Sequence, residues 1–308
     1  MSNARTFLLL FAYVQIGFVS LDLYEHWRLA REGGVRHVIV RYRPLILGVA
    51  AACFIYFVIQ VALASALPTV TKLTDYIIRV SHADAASAEM KWAIPVFLGS
   101  FLVGTFFDYL VHRFLLHGFL WRLHENHHLP SVVSNVMPGI AARPFVVVPN
   151  FLINIASCAA IFGIVRLIGR VHLIATLIYV VPALLLAFAF VASASHSIFL
   201  RRYDWAESLF RTFLLITPRE HLLHHAASLH GNYGNFTALW DRAFGTYIPP
   251  LASPFSTGLE YDQDFLGAIT AGRFKLSPAA RSRYQIGQVC HIEETAKPSG
   301  SLTFMAPK

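Results

Sequence analysis

Three clusters of histidines contain the residues whose types and spacing suit them best to chemistry. The first cluster is a histidine pair separated by four residues, and the other two each follow the pattern His-x-x-His-His. The clusters comprise His112 and His117, then His124, His127 and His128, and finally His221, His224 and His225. Random placement at this histidine frequency would give one His-x-x-His-His pattern in roughly one chain of thirty. Two such patterns in one chain therefore indicate a function, and the imidazole side chain indicates metal binding.

The number of histidines bears on the kind of metal site. Imidazole binds zinc, copper, iron and nickel, so the ligand type alone does not name the metal. A structural zinc is closed by four ligands, whereas eight or nine histidines would saturate two ions and leave exchangeable positions. An open, histidine-rich site beside apolar segments favours iron and oxygen chemistry modestly over a pair of zinc ions.

Helical spacing predicts how the clusters are presented. Within a His-x-x-His-His helix, spacings of three and four residues bring all three imidazoles to one face, so two facing helices would offer six ring nitrogens to a shared cavity. A continuous helix over 116–128 would add His117 to the face of the second cluster. His112 would lie well off that face. We therefore expect the helix to bend, with Gly118 as the place for the break, or His112 to approach from another side.

Apolar segments long enough to cross a bilayer must position these clusters. Hydrophobic residues make up 56% of the 308-residue chain and charged residues 14%, with a mean hydropathy of +0.54, whereas soluble domains carry about 25% charged residues. A span needs roughly 17–25 apolar residues, a length that four segments reach with confidence and a fifth approaches. The four segments are 44–67, 93–111, 145–168 and 173–193. The fifth, 6–21, is expected to be a span, an interfacial helix or an uncleaved signal-anchor.

Arginine-rich loops predict the orientation of the spans. The net charge is +8, and five arginines lie in residues 28–43, between the first and second apolar runs. Basic loops stay in the cytoplasm, and Arg113, Arg122 and Arg143 place the region after the 93–111 span on the same side. All three clusters are therefore expected at the cytoplasmic face. The arginines flank apolar runs instead of forming one patch, so no nucleic-acid partner is expected, and the richness in arginine and alanine suggests a bacterial inner membrane more than an endoplasmic reticulum.

The expected fold class is an all-α integral membrane protein with four to five transmembrane helices and a cytoplasmic, histidine-rich helical cap that holds a two-metal site. Residues 1–247 are predicted to form the membrane-embedded domain, with its histidine motifs at 108–128 and 196–247. Within it, 203–216 is predicted as an interfacial helix. Residues 248–308 are predicted to be a cytoplasmic extension whose last ~15 residues are loose, since they lack periodicity.

Further motifs accompany the histidines. Asp108-Tyr-Leu-Val-His112-Arg begins the first cluster, Leu120-Trp-Arg-Leu-His124 the second, and Thr217-Pro-Arg-Glu-His221 the third. The others are His196-Ser197, Asn232-Tyr-Gly and Trp240-Asp-Arg-Ala-Phe-Gly-Thr246. Together, over about residues 108–247, they resemble the fatty acid hydroxylase and sterol desaturase superfamily of membrane di-iron oxygenases.

This resemblance implies a ligand set, cofactors and an activity. It adds His196, which follows the last span, to the eight clustered histidines as a ninth metal ligand. It implies two iron ions with O2 as co-substrate, and hydroxylation or desaturation of a membrane lipid such as a fatty acyl chain or a sterol. Some relatives carry asparagine soon after the His196-Ser197 position, or a second histidine four residues after His196, where this chain has Ile198 and Leu200. One of the two ions is therefore expected to have a more open ligand shell.

Three carboxylates are candidates for orienting the histidines. Metal-binding histidines usually donate their other ring N–H to a carboxylate or carbonyl. Asp108, one helical turn before His112, is the best candidate, with a simple helix-end charge as the alternative, and Asp241 and Glu220 follow. His230 is expected to be solvated, with a ligand role as the alternative. The isolated histidines are interpreted as structural; they are His26, His37, His82, His172 and His291.

The sequence also bears on partners and on rival functions. The sequence contains no HPGG motif, so no fused haem domain is expected, and electrons are expected from a separate cytochrome-type or ferredoxin-type protein and its reductase. Hydroxylation is the first expectation, with desaturation on the same site as the alternative. Rival readings are a membrane zinc hydrolase, for which no H-E-x-x-H motif is present, and a metal transporter, which would need polar ligands at mid-membrane depth.

Overall fold

Helices make up most of the described chain. The structure is a computed structural model, and it describes residues 3–33, 72, 90–128, 160–161, 163–164, 167, 171–226, 230–250, 255–256, 292–294 and 303–304. Three long helices precede the second half of the site; they are α1 (Asn3–Gly33), α2 (Ala93–Leu110) and α4 (Val171–Ser195). The short helices are α3 (Trp121–His124), α5 (Ile198–Arg201), α6 (Asp204–Thr212), α7 (Pro218–His224) and α8 (Leu239–Ala243). A 3-10 turn, Met90–Trp92, precedes α2, a π-helix, Val111–Phe119, follows it, and a second 3-10 turn, Glu125–His128, follows α3.

A small antiparallel sheet lies in the C-terminal extension. Its strands are β1 (Phe255–Ser256), β2 (Ile292–Glu294) and β3 (Thr303–Phe304), in that order across the sheet. Phe255 pairs with Glu294, and Ile292 pairs with Phe304. The sequence did not predict this sheet, because strands of two or three residues carry too little alternation to be recognised. The described chain is thus mostly helical, with this sheet added.

The long helices correspond to three of the predicted apolar runs. The helix that contains the 93–111 run is longer than the run itself, because α2 and the π-helix form one helical segment from Ala93 to Phe119. In the described part of the chain, it is the one helix long and apolar enough to cross a membrane. The 173–193 run lies in α4, which contains Pro182, and the 6–21 run lies in α1, which has 31 residues. The 44–67 run lies outside the described residues, as does most of 145–168, so the number of spans stays a prediction.

Helix α4 is the centre of the packing. It packs against both α1 and α2, with Phe190 against Phe18 of α1 at a ring-centroid distance of 5.5 Å and Phe188 against Phe101 of α2 at 5.4 Å. Gly104 of α2 lies so close to the Phe188 ring that a Cβ there would come within 2.9 Å of it. These contacts hold α2 and α4 against each other. His112 follows the C-terminal end of α2, and His196 follows that of α4.

The segment after α4 folds back beneath it. Helix α6 buries Ala206 and Phe210 and exposes Trp205 and Leu209; its place at a membrane interface stays a prediction. It ends at Thr212, earlier than the predicted 216, because the chain turns at Leu214, which has a φ of 57°. Helix α7 then begins with a capping box, in which Thr217 and Glu220 satisfy each other's backbone N–H groups, and has Pro218 in its first turn.

Candidate metal centre

The nine histidines predicted as ligands come together in two groups. Within each group, the potential ligand nitrogens all lie within 4.8 Å of one another. The first group comprises His112, His117, His124, His128 and His224, and the second comprises His127, His196, His221 and His225. The groups adjoin each other, since the rings of His128 and His225 have centroids 4.7 Å apart.

The spacing of the ring nitrogens fits donors that share an ion. In the first group, the Nε2 atom of His124 lies 3.0 Å from that of His112 and 3.1 Å from that of His128. In the second group, the Nε2 atom of His196 lies 2.9 Å from that of His221 and 3.1 Å from that of His127. Two nitrogens about 2.1 Å from one ion lie about 3.0 Å apart at a right angle and about 3.4 Å apart at a tetrahedral angle. The Nε2 atoms thus have the spacing of neighbouring ligands.

A π-helix explains how His112 and His117 reach the same group. In an α-helix, five residues turn the chain by about 500°, which would leave the two rings about 140° apart. The π-helix Val111–Phe119 has hydrogen bonds between residues five apart, such as Leu120 N–H to the carbonyl of Leu115 at 2.6 Å, so five residues take about one turn. The two ring centroids consequently lie 5.0 Å apart. The expected break is also present, because Gly118 has non-helical dihedral angles (φ −119°, ψ −109°).

The two His-x-x-His-His patterns divide between the groups in the same way. In each pattern the first and third histidines belong to one group, and the middle histidine belongs to the other. His124 and His128 thus join His224, while His221 and His225 join His127. The sequence predicted that the two patterns would offer six nitrogens to one shared cavity. In the structure, each pattern contributes its middle histidine to the other pattern's group, so the six nitrogens are divided between two adjacent groups.

Backbone carbonyls hold several rings with the correct nitrogen inward. The Nδ1 atom of His112 lies 2.5 Å from the carbonyl oxygen of Tyr233, that of His224 lies 3.0 Å from Gly231, and that of His196 lies 2.6 Å from Ala192. A carbonyl only accepts, so each Nδ1 must carry the proton and donate. In the neutral ring, Nε2 is then the unprotonated nitrogen, which is the form that binds a metal.

Burial keeps the histidines neutral. Loss of solvation, followed by repulsion from neighbouring histidines, lowers the pKa values of His124, His128, His221 and His225 well below the ordinary 6.5. Burial likewise lowers the pKa values of His196 and His224 to about 4, against an upward effect of their carbonyl hydrogen bonds. Near pH 7 these rings therefore carry free lone pairs and bind no competing protons.

The donor set fits two metal ions with unequal shells. Five imidazoles in the first group exceed the four ligands of a closed tetrahedral zinc site. Four imidazoles in the second group leave more positions open to exchangeable ligands. A set of buried imidazoles of this kind has an evident use as metal ligands and none as a packed apolar core.

The predicted orienting carboxylates bind the backbone near the histidines. Asp108 accepts hydrogen bonds from the backbone and side-chain N–H groups of Asn235, at 3.2 and 3.0 Å. Asp241 accepts from the backbone N–H groups of Tyr233 and Gly234, both at 2.8 Å. Both carboxylates thus fix the 231–235 turn, which supplies the carbonyls that orient His112 and His224. Their effect on the rings passes through that turn.

Glu220 has a related role at the start of α7. Its carboxylate accepts from the backbone N–H of Thr217 at 3.1 Å, from the hydroxyl of Tyr247 at 2.6 Å and from Arg211 at 3.3 Å. Asn232 also donates its side-chain amide to the backbone carbonyl of Glu220 at 2.9 Å. These bonds position the helix that carries His221 and His224 and ends just before His225.

The second group has fewer histidines than the first, and the sequence after His196 departs from that of some relatives. Ile198 and Leu200 are both buried, and Leu200 packs in an apolar cluster with Phe18 and Ala194. Neither residue offers a ligand, and the second group has four histidines where the first has five. That one ion has a more open shell than in those relatives stays a prediction.

Other residues complete the surroundings of the groups. His230 is exposed and belongs to neither group. The ring of Trp121 lies 5.3 Å from His117 and 5.4 Å from His128, a contact that sequence reasoning missed although Trp121 is three residues before His124. Tyr233 lies on another side of His117, at 5.1 Å. The side chains of the five isolated histidines lie outside the described part of the structure.

Comparison with known proteins agrees with this arrangement. Residues 97–246, a little under half of the chain, match the family model described as fatty acid hydroxylase, and this stretch contains all nine histidines. No curated protein and no solved structure gives a significant match. Residues 97–246 thus match the fatty acid hydroxylase/sterol desaturase superfamily.

Proposed function

We propose that this protein is a membrane-bound, O2-dependent di-iron oxygenase that hydroxylates a C–H bond of a membrane lipid. One observation carries the proposal: nine histidines, of which seven are buried and His117 and His196 are half-buried, form two adjoining groups, and within each group the Nε2 atoms have the spacing of ligands that share an ion. The match to the superfamily supports an oxidoreductase acting on lipids. The more open second group favours chemistry at exchangeable positions over a purely structural metal site.

The residues of this chain would hold the cofactor and shape its surroundings. The first group would bind one iron ion and the second group the other, with backbone carbonyls keeping the Nδ1 protons of His112, His196 and His224 directed away from the metals. Bound iron would supply oxygen activation and removal of hydrogen from an unactivated C–H bond. The buried rings and the apolar residues around them would exclude water from the two ions.

The reaction requires electrons that the chain does not supply. Hydroxylation consumes one O2, two electrons and two protons, places one oxygen atom in the lipid and releases the other as water. We propose a separate cytochrome-type or ferredoxin-type donor with its reductase. The clusters would lie at the cytoplasmic face of a bacterial inner membrane, beneath four to five spans, where such a soluble donor has access.

Metal analysis of the purified protein tests the proposal. Protein prepared with iron should contain about two irons per chain, and His124→Ala or His224→Ala should lose metal and product, since each removes a ligand from the first group. His230→Ala is the matched control, because His230 is exposed and outside both groups. Zinc as the only metal, bound in the active protein, would contradict the proposal and favour a membrane zinc hydrolase. Full activity in either ligand variant would refute the ligand assignment.

Comparative lipid analysis separates the reaction types. Cells that express the protein should gain a lipid heavier by one oxygen atom than in cells without it, and the His224→Ala variant should abolish this product. A product lighter by two hydrogens would instead indicate desaturation on the same site. Metal accumulation by cells or vesicles without any lipid change would favour the transporter.

A further inference from the structure

The N-terminal helix reaches the second histidine group through a buried carboxylate. Asp22 of α1 is only 3% exposed, and its Oδ1 atom accepts hydrogen bonds from the hydroxyl of Ser197 at 2.7 Å and from the backbone N–H of Phe199 at 3.2 Å. A buried carboxylate is costly unless it is hydrogen-bonded. These two bonds join segments 175 and 177 residues apart in sequence.

Ser197 connects Asp22 to the turn that contains His196. Its hydroxyl donates to Asp22 and accepts from the backbone N–H of Leu200 at 3.3 Å, so it caps α5. Its own backbone N–H donates to the carbonyl of Ala194 at 3.0 Å. Asp22 and Ser197 together therefore satisfy two N–H groups at the start of α5 and fix the turn between α4 and α5.

That turn sets the position of a histidine central to the second group. The Nε2 atom of His196 is close to those of both His127 and His221, while its Nδ1 donates to Ala192 one turn earlier. A shift of the turn would move His196 away from both neighbours. The group has four histidines, so displacement of one leaves three.

A second contact from α1 supports the other end of α5. Glu25, one turn after Asp22 and 2% exposed, pairs with Arg28 at 2.6 Å and with Arg202 at 3.7 Å. Arg202 is the residue that follows the last turn of α5. The two carboxylates, spaced three residues apart on one face of α1, thus contact both ends of the short helix that follows His196.

We propose that Asp22 is a positioning residue for the second metal site, acting through Ser197 on His196. The inference rests on the proposed function in that the two histidine groups bind metal. It extends the site beyond residues 97–246, the part of the chain that matches the family model, to a helix that lies outside it. Helix α1 would therefore be part of the support of the catalytic centre.

Binding of ferrous or cobaltous ion to the full-length protein, without oxygen, tests this role. In Asp22→Leu, which keeps the bulk and removes the acceptor, the dissociation constant of the second-group ion should rise roughly tenfold, the lower end of effects seen for groups that orient metal ligands. Asp22→Asn keeps an acceptor oxygen and should restore binding. Gln15→Leu is the matched control, because Gln15 also bonds from α1 to α4, at Ser193, without contacting the turn.

Two backgrounds locate the affected ion. In His224→Ala, which damages the first group, Asp22→Leu should remove most of the remaining binding. In His221→Ala, which damages the second group, Asp22→Leu should add no further loss. Equal weakening in both backgrounds, or an equal effect of Gln15→Leu, would show general loss of helix packing and overturn the proposal.

The outcomes also separate this inference from the proposed function. Fewer than two ions in the wild-type protein would overturn the proposed function, and this inference with it. Two ions in the wild type and unchanged affinity in Asp22→Leu would overturn this inference alone. If Asp22→Leu does not fold, Ser197→Ala takes its place, with the same expected loss and the same contradiction if binding is unchanged.

Discussion

At the scale of single residues, the acidic side chains of the site accept hydrogen bonds from backbone N–H groups. The histidine rings are oriented by backbone carbonyls instead. The sequence singled out Asp108, Glu220 and Asp241 as partners of histidine rings. Their hydrogen bonds to the backbone go to the 231–235 turn and to the start of α7. Sequence reasoning could find these carboxylates from their places beside the motifs. It could not find their partners, because Asp108 and Asn235 are 127 residues apart.

Removal of Asp241 should weaken both the fold and the first group. Asp241→Ala leaves the buried N–H groups of Tyr233 and Gly234 without an acceptor, at a cost of roughly 1–3 kcal/mol for each. The free energy of unfolding should therefore fall by about 2–5 kcal/mol, and the first-group ion should bind more weakly because the Tyr233 carbonyl orients His112. Denaturant unfolding in detergent and metal titration measure the two effects.

The control for this variant is Asp204→Ala. Asp204 is 64% exposed and pairs with Arg219 at 2.7 Å, and exposed ion pairs contribute about 1 kcal/mol or less. Asp204→Ala should therefore change both the metal affinity and the free energy of unfolding much less than Asp241→Ala does. A similar small effect for Asp241→Ala would contradict the role assigned to the turn.

The buried imidazoles also predict how the metal-free protein responds to acid. The unfolded chain binds protons with histidine pKa values of about 6.5, whereas the folded chain holds the pKa values of His196 and His224 at about 4. Below pH 6.5 the unfolded state therefore binds more protons. Stability is full above about pH 6.5 and is lost as the pH falls towards about 4, by about 1.4 kcal/mol per pH unit for each such histidine.

Unfolding midpoints of the metal-free protein at several pH values measure this dependence. His196→Gln should make this dependence shallower, because it removes one of the histidines whose pKa is lowered in the folded chain. A midpoint that stays constant down to pH 4 would contradict buried, neutral histidines in the metal-free fold.

At the scale of elements, the π-helix is the feature that the sequence indicated only indirectly. The five-residue spacing of His112 and His117 showed that an α-helix would separate their rings, and Gly118 was expected to provide a break. The structure contains both that break and a widened helical turn before it. Local propensity does not distinguish a π-helix from an α-helix, since the same residue types form both, so the geometry depended on the long-range packing of both rings against His224.

Changing the number of residues between His112 and His117 tests the widened turn. Deletion of Phe114, which is 57% exposed, gives a four-residue spacing that an α-helix places on one face. We expect the segment to become α-helical and to keep an ion in the first group. Insertion of an alanine after Phe114 gives a six-residue spacing, about 120° from alignment in an α-helix, and should lose that ion. Metal content per chain measures both, and equal loss in the two variants would contradict the interpretation.

At the scale of the whole molecule, the reliable sequence signals were local and the missed features were long-range. Helical spacing and apolar runs predicted α2, α4 and α7 and identified eight of the nine histidines, because each depends on residues within a few turns. The ninth, His196, came from the resemblance to the superfamily. The division of the histidines into five and four required the pairing of segments about 100 residues apart. The link from Asp22 to Ser197 similarly required the packing of α1 on α4. The number of spans and their orientation remain predictions of the sequence.

The predicted membrane-embedded domain ends at residue 247, beside two contacts that close the site. Asn232, which is fully buried with a φ of 52°, accepts from the backbone N–H of Ile248 at 2.8 Å and donates to its carbonyl at 2.9 Å. Tyr247 in turn donates its hydroxyl to Glu220. Residues 247 and 248 therefore contact the two residues that hold the 231–235 turn and the start of α7.

Two truncations should consequently differ sharply in metal content. A chain that ends at residue 250 keeps both contacts and should bind two ions with wild-type affinity. A chain that ends at residue 246 loses the partners of Asn232 and Glu220, which frees the 231–235 turn and the start of α7, so the first-group ion should be lost first because His112 and His224 depend on that turn. Because the small sheet β1–β3 is absent from both chains, a difference between them must arise from residues 247–250. Loss of metal in both would instead place part of the support in the C-terminal extension.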